Sequence, residues 1–247
     1  MFTVADREQL RARLLEMAAQ DPRLSGVAVT GSAADGREDR WSDIDLAFGV
    51  CDGVELPAIV SDWTARMYAE HDAVHHTELL AGPWIYRVFL LANTLQVDLA
   101  FVSEAEFRAL APTFRLVSGT AREPGHLPAP VAGSLIGMGW LYALHARSSL
   151  ARGQRWQAEH MISAMRDTAL ALACVRYGLP AAHGKGIDKL PEAVTAGFEE
   201  ALVRGLVGAE LSRAFGAATQ LLLVEFRAAD AELATRLERV LCEVASS

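Results

Sequence analysis

Two aspartates, Asp43 and Asp45, interrupt an apolar run in the segment "SDIDLAFGV". Side chains alternate between the two faces of a strand, so residues two apart share a face. Two ionised carboxylates in a dry core would cost more than a strand can offset, so they need water or a cation. Mg²⁺ suits them, because it prefers carboxylate oxygens and keeps waters and substrate phosphates as its other ligands. The pattern predicts a magnesium site that handles phosphates.

A third carboxylate, Asp98, interrupts a second apolar run, "LQVDLAFVS". If the two strands are neighbours in one sheet, Asp98 joins the pair Asp43 and Asp45. Three carboxylates could bind two metal ions, an arrangement that activates an attacking oxygen and steadies a leaving phosphate. We therefore expect Asp43, Asp45 and Asp98 to be metal ligands and catalytic residues.

A glycine and a serine, Gly31 and Ser32, follow the strand-like segment "LSGVAVTG". Without a Cβ atom, Gly31 lets the backbone come close to a ligand, and exposed N–H groups can face phosphate oxygens. The Ser32 hydroxyl can donate to the same phosphate, so a triphosphate could bridge this turn and the metal pair. A P-loop is excluded, because Arg37 and Glu38 follow Gly36 where that motif needs Lys and Ser or Thr.

The roles of two residues near Asp43 stay open. Ser42 either belongs to the site or only forms a turn. Arg37 either lies over the phosphates or is an ordinary solvent-exposed loop residue. The histidine-rich segment "HDAVHH" (71–76) lacks partners at zinc-ligand spacing, which favours exposed imidazoles at the start of a strand.

The first half of the chain alternates helix and strand. Apolar periodicity predicts helices over 4–19 and "LPAIVSDWTARMYAEH". Besides the segments above, "WIYRVFLLANT" is rich in aromatic and aliphatic residues and predicts a strand.

The second half has a different character. The segment 121–130 holds three prolines and a glycine, which indicates a domain boundary. Beyond it, Ala- and Leu-rich stretches predict a bundle of helices over 131–151, 155–177, 191–207 and 209–245, the last as one helix or as two. Gly178 suits a helix C-terminus. The fold class expected is α/β (α+β), a domain with a small mixed sheet over 1–122 and an all-helical bundle over 130–247.

Composition limits the function. The chain has 247 residues, of which 51% are hydrophobic, and this excludes a disordered protein. No run reaches roughly 18 apolar residues, and the N-terminus has charges where a signal peptide needs an apolar stretch, so we expect a cytoplasmic protein with no membrane partner. A net charge of −8 disfavours nucleic acid and favours a small or cationic partner. The three cysteines, Cys51, Cys174 and Cys242, are expected to be buried and unpaired.

Gly31, Ser32, Asp43, Asp45 and Asp98 together resemble the motif of the nucleotidyltransferase superfamily with a DNA polymerase β-like catalytic domain. The helical half resembles the aminoglycoside nucleotidyltransferase branch. The resemblance implies Mg²⁺-dependent transfer of AMP from ATP to a hydroxyl of a small, cationic acceptor such as an aminoglycoside antibiotic, with release of pyrophosphate, and hence antibiotic resistance. It also implies a catalytic first domain and a substrate-binding helical domain.

Members of that branch use a carboxylate between the domains as general base. Our candidate is Glu159; Arg166 lies seven residues on, on the same helix face, and could reach triphosphate oxygens. An ordinary surface or interdomain ion pair is the alternative for both.

Two other functions stay open. One is AMP transfer to a protein hydroxyl, as in an antitoxin-type enzyme, and the other is a nucleotide-binding module without catalysis. Arg176 and His183 have the spacing of helical ribonuclease toxins, but Gly178 and Pro180 break the helix that motif needs. The acceptor, the preferred base and the choice between monomer and homodimer are not fixed by the sequence.

Overall fold

The computed structural model of the chain describes residues 1–125 and 131–246. The chain divides into two compact units, Met1–Leu127 and Pro128–Ser247. Part of the predicted boundary segment, residues 126–130, lies outside the described residues. The roles expected for the two units, catalysis and substrate binding, stay predictions.

Over residues 1–125, the first unit combines three helices with six strands. In chain order they are α1 (Val4–Gln20), β1 (Leu24–Thr30), α2 (Gly31–Ala34), β2 (Ile44–Val50), α3 (Leu56–Glu70), β3 (Ala73–Ala81), β4 (Trp84–Leu91), β5 (Gln96–Ser103) and β6 (Phe114–Gly119). The strands form one sheet in the order β3-β4-β5-β2-β1-β6. Strands β2 and β5 are parallel, and the other neighbours are antiparallel. The predicted small mixed sheet is confirmed.

The main core of this unit lies on one face of the sheet, under α1 and α3. Phe48 of β2, Trp63 of α3 and Phe101 of β5 are fully buried there, and the rings of Phe48 and Trp63 lie 4.9 Å apart. Because strand residues alternate, the neighbours of these apolar residues face the other side. That side carries Asp45, Asp98 and a smaller apolar cluster, so the alternation of β2 and β5 separates core from site.

All the regular elements that the structure describes in the second unit, within residues 131–246, are helices. Its helices are α4 (Ala132–Ala151), α5 (Arg155–Arg176), α6 (Glu192–Thr195), α7 (Gly208–Ala229) and α8 (Ala231–Ser246), with short 3₁₀ turns at Ala182–Gly184, Ile187–Lys189 and Ala196–Ala201. Its core contains Ile162, Met165 and Phe226, all fully buried. An ion pair between the exposed Arg176 and the buried Glu225, at 2.7 Å, joins α5 to α7. The predicted helical bundle is confirmed.

Several local predictions were wrong for identifiable reasons. Strand β6 was not predicted, because it exposes most of its side chains and so lacks the apolar alternation that marks a strand. The strand expected to start within "HDAVHH" is present as β3. The stretch 191–207 is not one helix, since Gly197 and Gly205 have low helix propensity and the chain forms α6 and a 3₁₀ turn instead. Cys174 is buried as expected, whereas Cys51 is only partly buried and Cys242 is exposed. No helix in the described part of the chain is long and apolar enough to cross a membrane.

Candidate active site

Asp45 and Asp98 occupy directly paired positions on the parallel strands β2 and β5. Neighbouring strands lie about 4.8 Å apart, so paired residues present their side chains side by side on one face. Ile44 and Val97, one residue earlier on each strand, point into the opposite core and are fully buried. The register therefore places both carboxylates on the face away from the main core, as the sequence predicts for neighbouring strands.

Asp43 lies one residue before β2 and faces the same end of β5. The side-chain amide of Gln96 donates to Oδ2 of Asp43 over 3.2 Å, and Gln96 is two residues before Asp98 on β5. Burial, and then the charge of Asp43, raise the pKa of Asp98 to about 6. The charge of Asp43 thus opposes the ionisation of Asp98.

Gly31 closes the other side of Asp45. It begins α2 immediately after β1 with a φ of +63°, a conformation that side-chain-bearing residues rarely adopt. A Cβ atom at this position would lie 2.0 Å from Oδ2 of Asp45. The glycine is thus required both by its own backbone and by the carboxylate beside it.

The carboxylate oxygens of Asp43, Asp45 and Asp98 suit a hard divalent cation such as Mg²⁺. Oδ1 of Asp98 is buried and has no hydrogen-bond partner among the described residues, although buried carboxylate oxygens are normally paired. A cation would supply that partner and offset the repulsion between Asp43 and Asp98. Within residues 1–125 and 131–246, however, no three His, Cys, Asp or Glu side chains are already grouped as metal ligands. The assignment of Asp43, Asp45 and Asp98 as ligands stays a prediction, supported by the unsatisfied oxygen.

A buried arginine, Arg7 of α1, holds the loop that leads to Asp43. Only 2% of Arg7 is exposed, and its guanidinium donates to the carbonyl oxygens of Asp39 (2.5 Å) and Ser42 (3.1 Å). It also lies 3.3 Å from Glu38, which binds Arg11 as well. Arg7 was not predicted as a site residue, because an arginine on an amphipathic helix ordinarily faces solvent.

The two ambiguous residues of this loop have local partners. The Ser42 hydroxyl accepts from the backbone N–H of Asp39 (2.9 Å) and donates to its carboxylate, a turn-forming role. Arg37 is exposed and pairs with Asp35 at 2.5 Å. Ser32 is partly buried in α2 next to Gly31. Phosphate binding by Ser32, Arg37 and Ser42 stays a prediction.

Glu159 and Arg166 both belong to α5 in the helical unit. The hydroxyl of Ser163 donates to Glu159 over 2.8 Å, and Arg166 pairs with its neighbour Asp167 at 2.7 Å. Each side chain thus has a local partner within its own helix. Their roles as general base and phosphate ligand stay predictions.

The comparisons with known proteins give distant similarities only. No protein-family model matches the sequence, and no curated protein matches it. Over 98% of both chains, the structure is similar to an aminoglycoside 6-adenyltransferase from Bacillus subtilis, with 14% sequence identity and a TM-score of 0.39. It is also similar to the structure of a GLD-2/RNP-8 complex, over 91% of this chain and 66% of that one, with 11% identity and a TM-score of 0.31. Similarities at these scores carry no argument about function, so the interpretation depends on the site itself.

Proposed function

We propose that this protein is a nucleotidyltransferase that moves AMP from ATP to a hydroxyl of a small, cationic acceptor such as an aminoglycoside, and releases pyrophosphate. The observation that carries the proposal is the side-by-side placement of Asp45 and Asp98, with Asp43 beside them and Gly31 against Asp45. Asp45 and Asp98 share one face of the sheet, next to a turn whose backbone N–H groups could bind phosphate, and Asp43 precedes β2 at the same end.

The carboxylates would hold Mg²⁺ through Asp43, Asp45 and Asp98. When bound, Mg²⁺ neutralises phosphate charge and activates an attacking oxygen. The unpaired Oδ1 of Asp98 supports this assignment, since a buried anionic oxygen without a donor is costly. The net charge of −8 supports a cationic acceptor.

The chain's own groups would contribute mainly positioning. Gly31 and Ser32 bind the terminal phosphates through backbone N–H groups and the hydroxyl. The acceptor oxygen bonds to the α-phosphorus while the bond from that phosphorus to the pyrophosphate oxygen breaks. Pyrophosphate leaves with the electron pair, and the hydroxyl proton passes to a general base, for which Glu159 is the candidate.

The test is to incubate the protein with Mg²⁺ and ATP labelled at either the α- or the γ-phosphate. The acceptor panel contains aminoglycosides, a lincosamide, neutral hydroxyl compounds and a cell lysate. The proposal predicts that only the α-label appears on a small molecule. A labelled protein band instead supports AMP transfer to proteins, and ATP binding without transfer to any acceptor supports a non-catalytic module.

The role of Glu159 as general base is tested by comparing two Glu→Gln variants. We expect Glu159→Gln to lower kcat at least tenfold with little change in ATP binding, because an amide cannot accept the proton. Glu232→Gln is the matched control, since Glu232 is on α8 and its side chain is 85% exposed. Equal kcat values in the two variants would remove Glu159 from the mechanism.

A further inference from the structure

The sheet face that carries the carboxylates continues into a floor of alanines. Ala100 of β5 pairs with Ala47 of β2, and Ala47 pairs with Ala28 of β1. Ala47 and Ala100 come two residues after Asp45 and Asp98, so they share the face of the carboxylates. Three short side chains in adjacent central strands leave space above the sheet.

Larger side chains surround that space. A cavity of about 160 Å³ lies over Ala47 and Ala100. Trp84 and Tyr86 of β4 stand on one side of it, and Leu110 and Phe114 on the other. An apolar cavity of about 150 Å³ holds one benzene molecule, so this one matches a single six-membered ring.

The floor of the cavity lies close to the carboxylates along the strands, since Ala47 and Ala100 come two residues after Asp45 and Asp98. Thr30, which lines it, is the residue immediately before Gly31. Tyr86, which also lines the cavity, pairs with Ala100 on β5, two residues along that strand from Asp98. A ring in the cavity would therefore lie next to Asp45 and Asp98.

The in-line geometry of phosphoryl transfer indicates whether the cavity binds the acceptor or the nucleotide. Strand β1 is antiparallel to β2, so Gly31 and Ser32, after β1, lie at the end of β2 where Asp43 is found. The cavity lies on the opposite side of Asp45, toward the carboxyl end of β2. In phosphoryl transfer the attacking and leaving oxygens are roughly in line across the phosphorus. If pyrophosphate leaves toward Gly31, the attacking hydroxyl arrives from the side of the cavity.

We propose that the cavity over Ala47 and Ala100 is the acceptor subsite and receives one uncharged ring bearing, or adjacent to, the hydroxyl that is modified. The inference rests on the proposed function and narrows its acceptor. An ammonium group would lose hydration among Trp84, Leu110 and Phe114, and Arg108 at the lining would repel it. Positive groups of the acceptor therefore stay outside the cavity.

The binding test uses 4-fluorobenzyl alcohol as a probe, observed by fluorine NMR line broadening. We expect wild type to bind it, and Ala47→Leu, which fills the floor, to bind it at least tenfold more weakly. Phe114→Ala removes a wall at a partly exposed position and is the second variant, in case Ala47→Leu does not fold. Ala58→Leu, on the exposed side of α3, is the matched control and should bind like wild type. No binding by wild type, or equal binding by the folded variants, overturns the proposal.

A second measurement tests whether the cavity binds the acceptor or the base of the nucleotide. Calorimetric affinity for Mg²⁺–ATP should stay within twofold in Ala47→Leu. A tenfold loss of ATP affinity there, together with displacement of the probe by adenosine, identifies a base-binding pocket and overturns the proposal.

Steady-state kinetics distinguish failure of the acceptor subsite from failure of the proposed transfer activity. With any acceptor that wild type modifies, Ala47→Leu should raise the acceptor KM at least tenfold and leave the ATP KM within twofold. An unchanged acceptor KM overturns the subsite alone. Absence of transfer in wild type and in Ala58→Leu alike contradicts the proposed function itself.

Discussion

A Cβ atom on Gly31 would lie 2.0 Å from Oδ2 of Asp45. The turn after β1 and the first carboxylate of β2 are therefore in direct contact, and neither can change without moving the other. Gly31 also has a φ of +63°, so a side chain there would be strained even in open space.

We expect Gly31→Ala to abolish transfer, with at least a hundredfold loss of kcat, because the methyl group must displace the Asp45 carboxylate. The backbone strain adds a loss of about 1–2 kcal/mol in the free energy of unfolding. Steady-state kinetics and urea denaturation measure the two effects.

The matched control for this change is Gly53→Ala. Gly53 has a φ of +82°, and a Cβ atom there would meet nothing within 4 Å. It should lose similar stability while keeping its activity. Comparable kcat values for both variants would show that the contact with Asp45 has no catalytic importance.

Arg7→Met should loosen the loop that ends at Asp43. It leaves the carbonyl oxygens of Asp39 and Ser42 without their buried donor, at a cost of about 1–3 kcal/mol in the free energy of unfolding. We also expect weaker Mg²⁺–ATP binding by calorimetry, since Asp43 loses its support. Arg13→Met, on the exposed face of α1, should leave both quantities near wild type. Unchanged ATP binding in a folded Arg7→Met protein would limit Arg7 to a structural role.

Asp21, between α1 and β1, predicts a pH-dependent stability. Hydrogen bonds from Arg23, at 2.9 Å and 2.8 Å, and from the indole of Trp63, at 3.1 Å, lower the pKa of Asp21 to about 2. A carboxyl whose pKa is lower in the folded state stabilises the fold above its ordinary value near 3.8, and this contribution is lost as the pH falls toward 2. Asp21→Asn should therefore cost about 2 kcal/mol at pH 7 and clearly less at pH 3. Urea denaturation at the two pH values tests this, and an equal cost at both would contradict it.

Much of the site was predictable because side chains along β2 and β5 alternate between the buried core and the face that carries the carboxylates. Asp45 and Asp98 each interrupt a run whose other members are buried, so the sequence indicates which face each carboxylate occupies. The sequence could not show that β2 and β5 are neighbours, and the predicted site assumed it. Parallel strands are joined through a crossover connection, and local sequence patterns do not specify which strands it brings together. The structure supplies that pairing and its register.

Other features depend on contacts between distant parts of the chain. Arg7 and Ser42 are far apart in sequence, and nothing in the helical pattern of α1 marks an arginine that turns inward. The alanine floor likewise arises from three separate strands. Edge strands such as β6 were missed because exposure on both faces removes the hydrophobic signal.

The most direct test of the carboxylate site is Mg²⁺-dependent pyrophosphate release from ATP, measured with an acceptor that wild type modifies. The account predicts that Asp45→Asn and Asp98→Asn each lose at least a thousandfold in rate while remaining folded, and that Asp52→Asn, in the exposed turn after β2, stays within twofold of wild type. Undiminished release by Asp45→Asn and Asp98→Asn would contradict it.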